Sequence, residues 1–309
     1  MRMSVREHPA IVEVGLNEAA PRALNAHVPY AASECAAEAL RCGDAGAAVV
    51  HWHARDAATG AQRLDDADLH GEAFAPMRRA GLLAYPSYPV EPLSLDGRFG
   101  HCWALRERHR LEMAPVDVGS VSIVPWDERT RTFVGLDALG EQAVVANPLP
   151  LTLAALENIQ ALGMVASLTS FDVGNTRTVA LLAASGALLG PVYLKIFLSG
   201  AWAAGPTPTE EAIEYHLRQL PPELDVAWVL VPYALSDARL VERLCRRALE
   251  LGGGIRVGIG DTPAAFPEHD NARLVEAAVR WVEESGRSLA SAADVRARLG
   301  LPHVEASRV

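Results

Sequence analysis

The chain has 309 residues, half of them apolar, and a formal net charge of −10. That length allows one large core or two modest ones, and no apolar run approaches a membrane span. The acidic balance argues against nucleic acid as a partner and leaves room only for a local basic pocket for a phosphorylated ligand. The opening stretch MRMSVREHPAIVEV lacks the basic and apolar regions of a signal peptide, so a cytoplasmic protein without a membrane partner is expected. Cys35, Cys42, Cys102 and Cys245 are scattered with no CxxC, and reduced thiols are expected.

Along the chain, short apolar runs alternate with amphipathic helical stretches. A strand at 11–16 is followed by a helix at 33–44, a strand at 48–53 and a helix at 66–80. A strand at 82–87 precedes a helical stretch near 102–112, and a strand at 116–122 leads into a long link, 125–150. Helices at 151–162, 176–185, 209–219, 236–251 and 270–285 then alternate with strands at 164–169, 192–198, 226–231 and 255–259. Ser33, Thr207 and Ser236 are the expected N-caps of three helices, and glycine follows many of them. Strands alternating with helices imply parallel pairing and right-handed crossovers. Eight such units, with no linker dividing them, predict a (β/α)8 TIM barrel, an α/β fold in which residues 1–309 form a single domain. A doubly wound open sheet is the alternative, but its first turn should carry GxGxxG, and LNEAAPR stands there. No NAD or flavin is expected for the same reason.

In such barrels the chemistry sits where strands end and βα loops begin. Strand one ends in Asn17 and Glu18, and strand two in VVHWHARD. His51 and His53 are two residues apart, so on a strand both imidazoles project from one face, as two neighbouring ligands of a Zn2+-type ion must. The alternative is a histidine pair in a wet barrel mouth without metal. Arg55 and Asp56 read as a local ion pair that holds the loop. Ser87, Ser120 and Ser122 close the third and fourth strands, and Arg256 leads into Gly260 and Asp261 at the eighth. Lys195 is the only lysine, and it falls in the apolar strand VYLKIFL, where Tyr193, Lys195 and Phe197 share the inward face. His27, His101 and His303 fall in expected loops and take no role.

The pattern HxHxRD after an AGA-type strand resembles the β-keto acid cleavage enzymes, the family of 3-keto-5-aminohexanoate cleavage enzyme. HVPYAASECAAEAL, PVDVGSVSI, GGGIRVGIGDTP, the segment Asn271 to Val275 and GRSLASAADVRARLGL are similar to the family's segments in the same order. The resemblance implies a TIM barrel with a divalent metal, usually Zn2+. It also implies condensation of a β-keto acid with acetyl-CoA to give acetoacetate and a new acyl-CoA. His51 and His53 would be metal ligands, and the metal would draw charge from the keto and carboxylate oxygens as a Lewis acid. Asp261 would be the general base and Arg256 its orienting cation. Ser87 would relay the proton or hold the substrate carboxylate, and Ser120 would offer a substrate-contacting hydroxyl.

One departure from the pattern matters. The family carries a metal-ligating Glu before the strand-eight Asp, and this chain has Gly260. It has Glu18 where many members have the Gly of Asn-Gly. Strands one and eight are neighbours when a barrel closes, so Glu18 is expected to be the third ligand. Exchanging the carboxylate between positions 18 and 260 is then expected to restore part of the site. Two other readings compete: a class I aldolase with a Schiff base on Lys195, and a non-catalytic keto-acid- or acyl-binding barrel, which Gly260 would favour. The β-keto acid itself would be read by the long fourth link and by GAWAAGPTP with Trp202. A homo-oligomer, dimer or tetramer, is expected.

Overall fold

Eight of the apolar runs become parallel strands in the computed structural model, which describes residues 8–127, 129–135 and 143–302. They are β1 (Val12–Gly15), β2 (Val49–Trp52), β3 (Leu83–Pro86), β4 (Met113–Asp117), β5 (Val165–Ser170), β6 (Val192–Ser199), β7 (Val226–Tyr233) and β8 (Gly254–Val257). Helices α1 (Ala32–Asp44), α2 (Ala67–Arg79), α3 (Leu95–His109), α4 (Leu149–Ala161), α5 (Val173–Ala184), α6 (Glu210–Leu217), α7 (Ala238–Glu250) and α8 (Asn271–Glu284) follow the strands in turn, and α9 (Ala292–Arg298) ends the fold. The ladder order is β3-β2-β1-β8-β7-β6-β5-β4, every pair parallel. This is a TIM barrel closed everywhere by ladders except between β3 and β4.

The open seam has a local cause. The Ser87 N–H donates to the Trp52 carbonyl across the β2–β3 ladder, so residue 86 faces β4. The Val118 N–H donates to Thr169 on the β5 side, so residue 115 faces β3. Both residues are prolines, and proline brings no donor to a ladder. The Asp117 N–H crosses the seam and donates to the Tyr88 hydroxyl at 3.2 Å.

Side-chain alternation sorts the strand residues into two layers. On β6, Val192, Leu194, Ile196 and Leu198 pack outward against the helices, while Tyr193 and Lys195 are buried inside the barrel. Ile11, Val49, Leu83, Met113 and Val229 fill the floor, where Val295 and Leu299 of the α9 region plug it. Buried Arg296 seals that end by pairing with Glu112 at 2.9 Å and donating to the Gly81 and Leu82 carbonyls. The polar strand ends lie at the opposite mouth. No helix among the described residues is long and apolar enough to cross a membrane.

Several boundaries differ from expectation. The fourth strand is Met113–Asp117, not 116–122; Gly119 turns at φ +86, and Val121–Ser122 pairs antiparallel with Val144–Val145 instead. The third helix starts at Leu95 on a Ser94 cap, because DGRFGH hides a helix behind two glycines. Thr209 and Asp237, not Thr207 and Ser236, accept the capping N–H groups. Ser33 lies inside α1, whose start is held by the Glu34 carboxylate on the Tyr30 and Ala31 N–H groups. The four cysteines are free and buried, and burial raises the Cys35 thiol to about 12. Residues 136–142 of the long link and His303 fall outside the described residues.

Candidate active site

Asn17, fully buried, fastens the end of β1 to the end of β2. Its amide donates to the Pro29 and His53 carbonyls at 3.0 Å each, and its oxygen accepts from the His53 N–H at 2.8 Å. Asn271 makes the matching link to β8 by accepting from the Ile259 N–H and donating to the Leu16 carbonyl. The three strand ends that carry the candidate residues are thus held in one frame.

Within it the two imidazoles are oriented by their outer nitrogens. His51 Nδ1 lies 3.1 Å from the Tyr85 carbonyl, which can only accept, so this nitrogen carries the proton. His53 Nδ1 lies 3.0 Å from Gln62 Oε1, and the amide orientation of Gln62 is set by its donation to the Glu18 carbonyl at 2.8 Å. The outer nitrogens thus hold both rings with their Nε2 atoms facing inward. They point at the Glu18 carboxylate, 3.1 Å from His51 Nε2 and 2.8 Å from His53 Nε2. The three donor groups lie within 4.8 Å of one another. Burial pushes His51 down to about 4, so it stays neutral at pH 7. Two imidazole nitrogens and one carboxylate converging on one point form a donor set that suits a divalent metal.

Glu18 reaches this position through an unusual backbone. Its φ is +33, in the left-handed region that side-chain residues avoid. Arg55 holds the turn by donating to the Asn17 and Ala20 carbonyls at 3.1 and 2.7 Å, while its guanidinium lies over Tyr30. Arg55 is therefore not paired with Asp56, which instead caps its own turn at Ala58 and Thr59. The expected Arg55–Asp56 ion pair is corrected accordingly.

Beneath the histidines lies a second charged group. Arg256 makes a two-pronged contact with Asp261, Nε to Oδ2 at 2.9 Å and Nη2 to Oδ1 at 2.8 Å, and also bonds Glu18. Its Nη1 reaches Glu13 at 3.2 Å, and Glu13 accepts from the Tyr85 and Tyr193 hydroxyls as well. One guanidinium thus serves three buried carboxylates. Burial raises the Asp261 carboxyl to about 7 against the pull of Arg256, with Glu18 and Glu13 adding to the rise. Burial also works against the ionised form of Glu18, yet Arg256 and the two histidines hold Glu18 well below the usual carboxylate range. Asp261 lies in the turn just beyond β8, where its N–H donates to the Gly258 carbonyl.

Two glycines let β1 and β8 approach this closely. A Cβ at Gly15 would sit 2.5 Å from Asp261 Oδ2 and 2.6 Å from Arg256 Nη2, inside the ion pair. A Cβ at Gly260 would sit 2.6 Å from the Asn17 nitrogen and 2.8 Å from the Gly15 oxygen, both backbone atoms. A side chain at 260 therefore needs the end of β1 to shift, which works against the expected exchange of the carboxylate between 18 and 260.

The other predicted residues are placed less centrally. Ser87 follows β3 and is half-buried; its carbonyl accepts from His101 at 2.8 Å, and its hydroxyl makes no bond among the described residues. Ser120 is exposed beyond β4, where its hydroxyl accepts from the Asn147 N–H at 2.9 Å. Trp202 joins Phe171 and Tyr233 in an aromatic wall at the mouth, with Phe197 beneath. Sequence reasoning missed Glu13, Gln62 and Tyr85. Glu13 alone left a trace, as a carboxylate at an inward position of an apolar strand.

A parallel barrel with a histidine–histidine–carboxylate cluster and an arginine-paired carboxylate at its C-terminal mouth has the layout of a metal-assisted enzyme. Residues 9–301 match the β-keto acid cleavage enzyme family, and the chain belongs to it. It is similar to the 3-oxoadipate:acetyl-CoA acetyltransferase of Cupriavidus necator, 28% identical over 96% of both chains. It is also similar to the 3-dehydrocarnitine:acetyl-CoA trimethylamine transferase of Rhizobium meliloti, 27% identical over 90% of this chain and 91% of that one. Among solved structures, the apo structure of ObcA shares the fold, with a TM-score of 0.61 and 15% identity over 89% of this chain and 66% of that one.

Proposed function

We propose that the chain transfers acyl groups between a β-keto acid and acetyl-CoA at the mouth formed by β1, β2 and β8. The CH2 carbon forms a bond to the acetyl carbonyl carbon as the acetyl–sulfur bond breaks, and the bond between the keto carbon and that CH2 then breaks. The CoA thiolate passes to the released acyl group. The products are acetoacetate and a new acyl-CoA, and atoms balance without an oxidant or reductant. Family membership and the names of the two relatives support this reaction class.

The observation that carries the reading is the convergence of His51, His53 and Glu18 beside the Asp261–Arg256 pair. His51, His53 and Glu18 would hold a divalent metal, and the nitrogen-rich, closely spaced donors favour Zn2+. When bound, such an ion supplies Lewis-acid polarisation of the substrate's keto and carboxylate oxygens. Asp261 accepts the proton from the CH2 between those groups, a task suited to a carboxyl raised to about 7. Arg256 fixes the direction of that carboxylate through two hydrogen bonds and stays charged throughout. The Ser87 hydroxyl, which has no partner among the described residues, holds the substrate carboxylate or passes the proton. Ser120 offers a more distant hydroxyl at the rim.

The test combines metal analysis with a screen of β-keto acids and acetyl-CoA. Stoichiometric metal that disappears in the His51→Ala/His53→Ala variant, with the fold intact, supports the site; full occupancy in that variant misplaces it. Metal-loaded protein that transfers no acyl group to any β-keto acid would instead favour a barrel that binds its ligand without chemistry.

A further inference from the structure

Lys195 is the only lysine of the chain, and it stands in the middle of β6 on the inward face, 3% exposed. It makes no hydrogen bond and no ion pair within the described residues; its ammonium lies over the Tyr85 ring, 4.7 Å from the centroid. The neighbouring carboxylates are committed elsewhere. Glu13 accepts from two tyrosines and Arg256, Asp261 gives both oxygens to Arg256, and Glu18 faces Arg256 and the histidines. Asp117, at the mouth end of β4, lies beyond ion-pair distance. A buried ammonium whose nearby carboxylates are held by other donors is unfavourable unless a further anion completes it. Burial lowers this ammonium to about 8, which leaves it charged at neutral pH.

The ammonium is also next to the reaction site. The Tyr85 ring under it packs against the His51 imidazole, centroids 4.6 Å apart, so the lysine and a candidate metal ligand share one tyrosine. The reaction proposed above already gives the substrate's keto and adjacent carboxylate oxygens to the histidine site. Lys195 is left for a different group.

We propose that Lys195 receives a second anionic group of the substrate, and that the enzyme selects β-keto acids whose far end carries a carboxylate. This inference rests on the proposed reaction for its substrate class. Lys195 acts in it as a specificity-determining residue that holds its charge and forms no covalent bond.

Two measurements test it. The first compares kcat/KM for β-keto acids of equal length ending in carboxylate or in methyl. The wild type is expected to favour the carboxylate by about a hundredfold, the worth of a buried charge-assisted contact. Lys195→Met should collapse that ratio towards one, and Lys195→Arg should recover part of it. An unchanged ratio in Lys195→Met, or an equal fall for both substrates, overturns the proposal. So does a borohydride-trapped adduct on Lys195, which would make it a Schiff-base nucleophile.

The second measurement needs no turnover. Protein labelled with 13C at the lysine ε-carbon gives one lysine signal, because the chain has one lysine. A saturated dicarboxylate without a keto group should shift that signal, and the matching monocarboxylate should not. Absence of the dicarboxylate shift overturns the proposal. A shift without acyl transfer from any β-keto acid keeps the anion site and removes the reaction reading.

Discussion

Replacing Glu18 by Gly and by Ala should separate two effects that act at one residue. Both variants remove the carboxylate from the histidines and Arg256, so the difference between them isolates the backbone. At φ +33 a residue with a Cβ is strained by roughly 1–2 kcal/mol relative to Gly. The extra freedom of Gly in the unfolded chain offsets roughly 0.5–1 kcal/mol of that relief. In the metal-free protein, Glu18→Gly should therefore be more stable than Glu18→Ala by about 1 kcal/mol, or about 2 °C in Tm for a chain of this size. Both variants should lose metal affinity by at least about a hundredfold, about 2.7 kcal/mol, because one of three ligands is gone. Denaturation with chelator and then with graded Zn2+ reads both quantities. Equal stabilities for the two variants in chelator would refute the strain argument. A Zn2+-dependent rise in Tm as large as that of the wild type would refute ligation by Glu18.

Gly260→Ala should lose about 2 kcal/mol in urea denaturation, because its Cβ meets the β1 backbone at 2.6 Å; an unmoved midpoint would mean that β1 gives way freely. Asp261 works as a base only when ionised, so activity should fall as the pH drops through about 7 or below, since a bound cation can only lower that value. The Asp261→Asn variant should bind substrate yet turn over at least about a hundredfold more slowly, and retention of the wild-type acid limb would assign that limb to another group. Gln62→Ala frees both the His53 Nδ1 proton and the Glu18 carbonyl. It should weaken metal binding by about 10- to 100-fold, measured by competition with a chromogenic chelator.

Most of the barrel was legible because its strands are short runs of small and β-branched residues whose alternation is read directly. His51 and His53 share a face by that period alone, and the inward placement of Lys195 followed from it too. The fourth strand was misplaced because Pro115 interrupts its start, while VGSVSI beyond it mimics a strand and instead pairs across a hairpin. Glu18 was legible only as an acid at the right address. What brings it to the histidines is a left-handed backbone clamped by Arg55 and Gln62, and those partners are far along the chain. Glu13 left only the trace of a carboxylate at an inward strand position and its tyrosines left none, since a carboxylate inside a barrel makes sense only when β1, β3, β6 and β8 are assembled around it. The steric bar at Gly260 likewise belongs to the spacing of two backbones and leaves no mark in either segment.

The proline pair at the β3–β4 seam makes this barrel a hoop with a clasp. A hoop welded by eight ladders can widen only by breaking backbone hydrogen bonds. Here the circumference between Ser87 and Asp117 is fastened by one tyrosine hydroxyl, which can let go and re-form at little expense in backbone bonding. The arc β8-β1-β2, separated from the seam by β3, is riveted by Asn17 and Asn271 and brings His51, His53 and Glu18 together at its strand ends. The give in the wall is thus concentrated at one seam, a single strand away from the arc that sets the spacing of His51, His53 and Glu18.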